Sequence, residues 1–136
     1  MKTYKSQSAI EFIVLASFML LAILGFFAVT SSKVLQASEE ANKKIAQDIA
    51  EYAYREIEMA KGVNDGYTRV FSMPQTVNGI AYSITIIDDK ELVVNYLGYE
   101  HIKFLPSDVS GELGIGMNEL EKIGGVVVIK NIIASP

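Results

Sequence analysis

The sequence holds no cysteine, no tryptophan and a single histidine, His101, among its 136 residues. Without thiols there is no disulfide framework, no thiolate metal site and no thiol nucleophile. His101 has no second histidine and no acid at ligand spacing beside it, so it is expected as a strand residue facing solvent rather than a metal ligand. Proline is scarce, and the first is Pro74. Nothing before it forbids one long helix. Positive charge is also in short supply, 12 basic against 16 acidic residues for a net charge of -4. A chain of that balance lacks the basic face that phosphate binding needs, so no nucleic-acid partner is expected. No Asn-x-Ser/Thr sequon occurs, and N-linked glycosylation is not expected.

What the chain has instead is one long apolar run. Between Glu11 and Lys33 lie 21 residues without a charge, enough for an α-helix to cross the hydrocarbon core of a bilayer. A helix apolar on all sides is unusual in a soluble domain of this size. The run is longer than the apolar part of a secretory signal peptide, and no small-residue cleavage signal follows it. Lys2 and Lys5 precede it, which predicts a cytoplasmic N-terminus with the rest outside. Lys33 on the far side dilutes that bias, and Glu39 and Glu40 follow it. Glu11 stands at the head of the run among apolar neighbours, and a carboxylate there needs a partner or access to water.

Around Glu11 the residues read Lys5, Ser6, Gln7, Ser8, Ala9, Ile10, Glu11, with Leu15 four further on. This pattern resembles the class III signal peptides of archaeal type IV pilin-like proteins, whose motif is Gln-x-Ser-x-Glu-x-x-x-Leu. Gln7, Glu11 and Leu15 match, and Ala9 stands small-for-small at the serine position. The resemblance covers residues 2–30. It implies a prepilin peptidase that cuts between Ser6 and Gln7 and leaves the apolar helix on the mature protein. It implies assembly through that helix into a surface filament, with a pilus assembly ATPase and membrane platform proteins as further partners. It also extends to Glu11 the role that the corresponding glutamate has in pilins, pairing with the new amino terminus of a neighbouring subunit and setting the axial register. The same carboxylate one helical turn from Gln7 can pair within its own chain, or be stabilised near a helix start by the macrodipole.

Beyond the run the helical period continues. Ala41, Ile45, Ile49, Ala53, Ile57 and Ala60 recur every three or four residues, with Tyr52 at one edge, and the opposite face is charged. Glu39–Lys43, Glu40–Lys44 and Glu51–Arg55 are acid-before-base pairs four apart, each expected to contribute about 0.3 kcal/mol. Thr30, Ser31 and Ser32 are the softest point, and Gly62 with Asn64-Asp65-Gly66 ends the helix.

From Tyr67 the period becomes two. Strands are expected over residues 67–73, 80–86, 92–96 and 102–104, with Asn78-Gly79 and Asp88-Asp89-Lys90-Glu91 as turns. Residues 107–125 read as loop, with a short helical turn over 117–122, and residues 126–129 as a buried strand continuing towards Ile133. The expected fold class is α+β, with about five antiparallel strands packed on the apolar stripe of a long N-terminal helix. The expected divisions are a leader at 1–6, a transmembrane or filament-core helix at 7–32, an amphipathic helix at 33–62 and a β head at 63–136.

No chemistry is legible in the head. The Asp88-Asp89 pair lacks the alternating oxygen ligands of a cation loop, and the glycines at 111, 114 and 116 are in the wrong order for a dinucleotide fingerprint. No nucleophile motif appears, and no enzyme activity, metal or cofactor is expected. The tyrosines are expected to pack. The leading expectation is thus a structural filament subunit that waits in membrane lipid before it self-associates. The alternatives are a minor priming or capping subunit, or a single-pass anchor holding a small extracellular binding domain.

Overall fold

A computed structural model describes residues 3–106 and 108–132. Among the described residues one long helix, α1 (Thr3–Lys61), precedes eight strands, and the fold is α+β. The chain divides into two compact units, residues 1–39 and 40–136.

The described residues of the first unit are all helical. No proline interrupts it, and Gly25 in its interior is tolerated at a cost of about 1 kcal/mol. Every side chain from Tyr4 to Thr30 is exposed, including Phe12, Leu15, Phe18, Leu21, Phe26 and Phe27. The expected soft point at Thr30–Ser32 is helical like its neighbours.

The second unit owns the core. Its helical part buries Ala46, Ile49, Ala50, Ala53, Ile57 and Ala60. The stripe is therefore rotated slightly from the expected one, since Ala41 is exposed and Ala46 and Ala50 are fully covered. The strands are β1 (Thr68–Met73), β2 (Thr76–Val77), β3 (Ile80–Ile87), β4 (Glu91–Tyr96), β5 (Tyr99–Phe104), β6 (Val109–Gly111), β7 (Gly116–Ile123) and β8 (Val126–Ile132). They form two four-stranded sheets, ordered β1-β7-β8-β6 and β2-β3-β4-β5. The first is mixed, because β6 runs parallel to β8, and the second is antiparallel throughout.

Tyr82 pairs with Tyr96, Ile84 with Val94 and Ile86 with Leu92 across β3 and β4, so alternate residues meet on one covered face. Phe71, Met73, Leu120, Val127 and Ile129 of the first sheet and Tyr82, Ile84, Leu92, Val94 and Tyr96 of the second join the helix stripe in one apolar cluster. Asn78 and Gly79 both have positive φ, 53° and 75°, as a two-residue hairpin turn that matches strand twist requires. Leu97 and Gly98 make the same turn at 51° and 80°, an unusual backbone for leucine.

Three expectations are corrected. Eight strands stand where about five were expected. Residues 116–123 form β7, a central strand, instead of loop with a helical turn, and residues 109–111 form β6. Its alternation was hidden because Asn118 and Lys122, both polar, share the inward face with Leu120. Strand β5 shows the expected period with the opposite phase. Phe104 is 72% and Ile102 is 44% exposed, while Tyr99, His101 and Lys103 point inward, half-buried. His101 is thus not the solvent-facing residue it was expected to be. Lys2 of the basic leader, Ser107 of the expected loop and Ile133 of the expected last strand lie outside the described residues.

Candidate functional site: the head of the long helix

Lys5, Ser6, Gln7, Ala9, Glu11 and Leu15 all lie within α1. Gln7, Glu11 and Leu15 are spaced by four, so they share one face of the helix, each about one turn above the last. The two motif positions that flank the expected cut, Ser6 and Gln7, are helical and exposed. Glu11 borders two shallow hollows. One is polar and is formed with Tyr4, Gln7 and Ser8. The other is apolar and is formed with Ile10, Val14, Leu15 and Phe18. The carboxylate therefore marks the boundary between a polar helix start and an apolar surface.

Within the apolar run two hydroxyls are satisfied by the helix itself. Ser17 Oγ donates to the Ile13 carbonyl at 2.8 Å, and Thr30 Oγ1 donates to the Phe26 carbonyl at 2.8 Å. Such back-bonding to the residue four earlier removes the hydroxyl's need for water. From Phe12 to Thr30 no side chain is charged, and the helix is long and apolar enough to cross a membrane. A surface of that kind in water would be a large unsatisfied apolar patch.

The second unit carries the ion pairs, and their geometry is structural. Lys103 Nζ on β5 pairs with Glu51 and lies 4.2 Å from the centre of the Tyr54 ring. The Lys103 hydrogen bond, partly opposed by burial, holds the Glu51 carboxyl below its ordinary range. Glu51 thus meets Lys103 across the fold, with the expected Arg55 a weaker neighbour. Lys43 sits over the Tyr99 ring at 5.9 Å. These partners explain the inverted phase of β5, whose inward polar row is received by helix side chains.

Glu56, buried among the alanines and Ile57, pairs with Arg69 of β1 at 2.8 Å. Lys44 and Asp48 make an exposed pair at 3.3 Å, worth little. Lys122 Nζ donates to the carbonyls of Lys61 and Val63, both at 2.6 Å, and so caps the C-terminal end of α1 with a cation. Buried Asn118 ties down the turn before β7, accepting from the Gly114 amide at 3.0 Å and donating to the Gly114 and Gly116 carbonyls at 2.8 and 3.1 Å. Tyr82 donates to the Pro74 carbonyl at 2.5 Å, and burial pushes its phenol up to about 12.

Sequence reasoning missed Glu56, Lys122 and Asn118. Only Glu56 left a signal, since it falls on the stripe between Ala53 and Ala60. A groove of about 410 Å³ also runs along the helix beside Ile45, Ile49, Tyr52, Met73, Pro74 and Val77. Among the described residues no group of three or more His, Asp or Glu side chains is placed to hold a metal ion. Comparison with protein-family models, curated proteins and solved structures finds no match to this chain.

Proposed function

We propose that this chain is a structural subunit of a type IV pilus-like filament of an archaeal cell surface. It is made as a precursor and cut before Gln7 by a prepilin peptidase. It waits in membrane lipid and then self-associates through its apolar helix, with the β head outermost and adhesive. A pilus assembly ATPase and membrane platform proteins are its partners, and no catalysis is assigned to the chain itself. The observation that carries the reading is the exposed helix from Tyr4 to Thr30, uncharged after Glu11 and with the hydroxyls of Ser17 and Thr30 bonded back to the helix. Lipid covers such a surface before assembly, and copies of the same helix cover it afterwards.

Glu11 supplies the specificity. Processing leaves an ammonium at Gln7, at the positive end of the helix macrodipole, where a cation is disfavoured. The helix has no acid in its first turn. Glu11 is the nearest carboxylate after the cut, and pairing it with the ammonium of an adjacent copy neutralises both groups in an apolar bundle. A single-pass anchor with a small binding domain is the second reading, and it is favoured by a helix that is long and apolar enough to cross a membrane by itself. Mass spectrometry of the native protein, with electron microscopy of the cell surface, separates the two. A chain beginning at Gln7 in filaments supports the subunit. A chain retaining Met1 or Lys2, with no filament, supports the anchor.

A further inference from the structure

The Ser6–Gln7 bond lies inside α1, which runs from Thr3 to Lys61. In an α-helix the Ser6 carbonyl accepts the Ile10 amide and the Gln7 amide donates to the Thr3 carbonyl, so both sides of the bond are engaged. Proteins that bind a chain segment through its main chain take it in an extended form. Hydrolysis adds water to the Ser6 carbonyl carbon and breaks its bond to the Gln7 nitrogen. It leaves a carboxylate on Ser6 and an amine, which takes up a proton, on Gln7. None of this is possible until the local helix opens.

The sequence divides an easily opened segment from a firm one. Residues 6–8 are Ser-Gln-Ser and exposed. Serine side chains compete with the backbone for its hydrogen bonds and weaken a helix. From Ile10 onward the run is apolar apart from Glu11 and the hydroxyls of Ser17 and Thr30, which bond back to the helix. In lipid those later backbone bonds have no water to replace them.

We propose that residues 3–9 are an unwinding segment, and that their helix–coil balance sets the rate of cutting at Ser6–Gln7. The inference rests on the reading that this bond is the processing site. Ser8 is the position to test, because it lies outside the motif and its helix propensity can be moved either way. The experiment follows cutting of the full chain in membranes by a prepilin peptidase, for wild type, Ser8→Ala, Ser8→Gly and Ser17→Gly. Amide hydrogen exchange at Ile10 and Glu11 of the uncut chain, which report the Ser6 and Gln7 carbonyl bonds, is measured in parallel.

The expected order of cutting is Ser8→Gly, then wild type, then Ser8→Ala, with about a fivefold span. Exchange should follow the same order, and Ser17→Gly should cut at the wild-type rate. Equal or reversed cutting rates, with exchange in the expected order, overturn the unwinding segment and leave the processing site standing. Failure of every chain to be cut between Ser6 and Gln7 overturns both.

Discussion

The two units of this chain meet their surroundings in opposite ways. In residues 40–136 apolar residues from the helix and both sheets cover one another, and the inward polar groups find partners in the same unit. Lys103 meets Glu51, Arg69 meets Glu56, and Asn118 bonds a turn. In the first unit every side chain from Tyr4 to Thr30 is exposed. Burial of an apolar side chain contributes about 2 kcal/mol, so a surface with this many exposed phenylalanines and leucines is a strong demand for other molecules. One region covers its apolar side chains internally, and the other presents them on its surface.

Breaking the comparison at its sharpest point means changing Glu11. Glu11→Leu makes the first unit more apolar, so it should insert in the membrane and leave the second unit folded, yet incorporation into filaments should be lost. Electron microscopy of sheared surface material gives the answer, and filaments at normal yield and spacing would oppose it. A paired substitution comes next. Leu92→Ala, in the fully buried core, should cost about 2–5 kcal/mol in denaturant unfolding of the head, while Leu20→Ala, on the exposed helix, should leave that transition where it is.

The end of α1 offers a smaller effect. Lys122→Met keeps the aliphatic stem and removes the cation from the Lys61 and Val63 carbonyls, for an expected loss of about 1.5–3 kcal/mol. The smallest effect is at high pH. The Tyr82 phenol is raised in the fold from its ordinary value of 10.0 to about 12. Its neutral form is the one the fold favours, so this contribution is complete below pH 10.0 and is lost as pH rises towards about 12. The difference in stability between wild type and Tyr82→Phe should therefore shift across that window and stay level below it.

Much of this contrast was legible in the sequence, because it depends on period and charge. The uncharged run after Glu11 and the stripe through Ile49, Ala53, Ile57 and Ala60 both read as helix. Asn78-Gly79 reads as a hairpin turn because few residue pairs tolerate two positive φ values. The rest depended on partners far along the chain. Strand β5 alternates visibly, but which face turns inward is decided by Lys43, Glu51 and Tyr54, which receive Tyr99 and Lys103. Strand β7 carries Asn118 and Lys122 inward, and each is satisfied only once the turn at Gly114 and the end of α1 are in place. Strand β6 is too short to show a period. It approaches β8 so closely that a Cβ on Gly111 would lie 2.1 Å from the Ile129 carbonyl oxygen, a contact visible only in three dimensions.

The candidate site divides in the same way. Gln7, Glu11 and Leu15 were legible through their resemblance to a known signal-peptide motif, and the structure places them on one helix face. What the face meets was not, because under the proposed function its partner is a second copy of the chain.

The absence of native cysteine allows the central claim to be measured directly. Leu21→Cys places one thiol on the apolar helix, where it is 68% exposed in the single chain. Oxidation in intact cells should join copies through this helix into covalent dimers, and the same cross-linked dimers should be recovered from the filaments. Exclusively monomeric chains after oxidation, from cells in which the protein is abundant, would contradict the account.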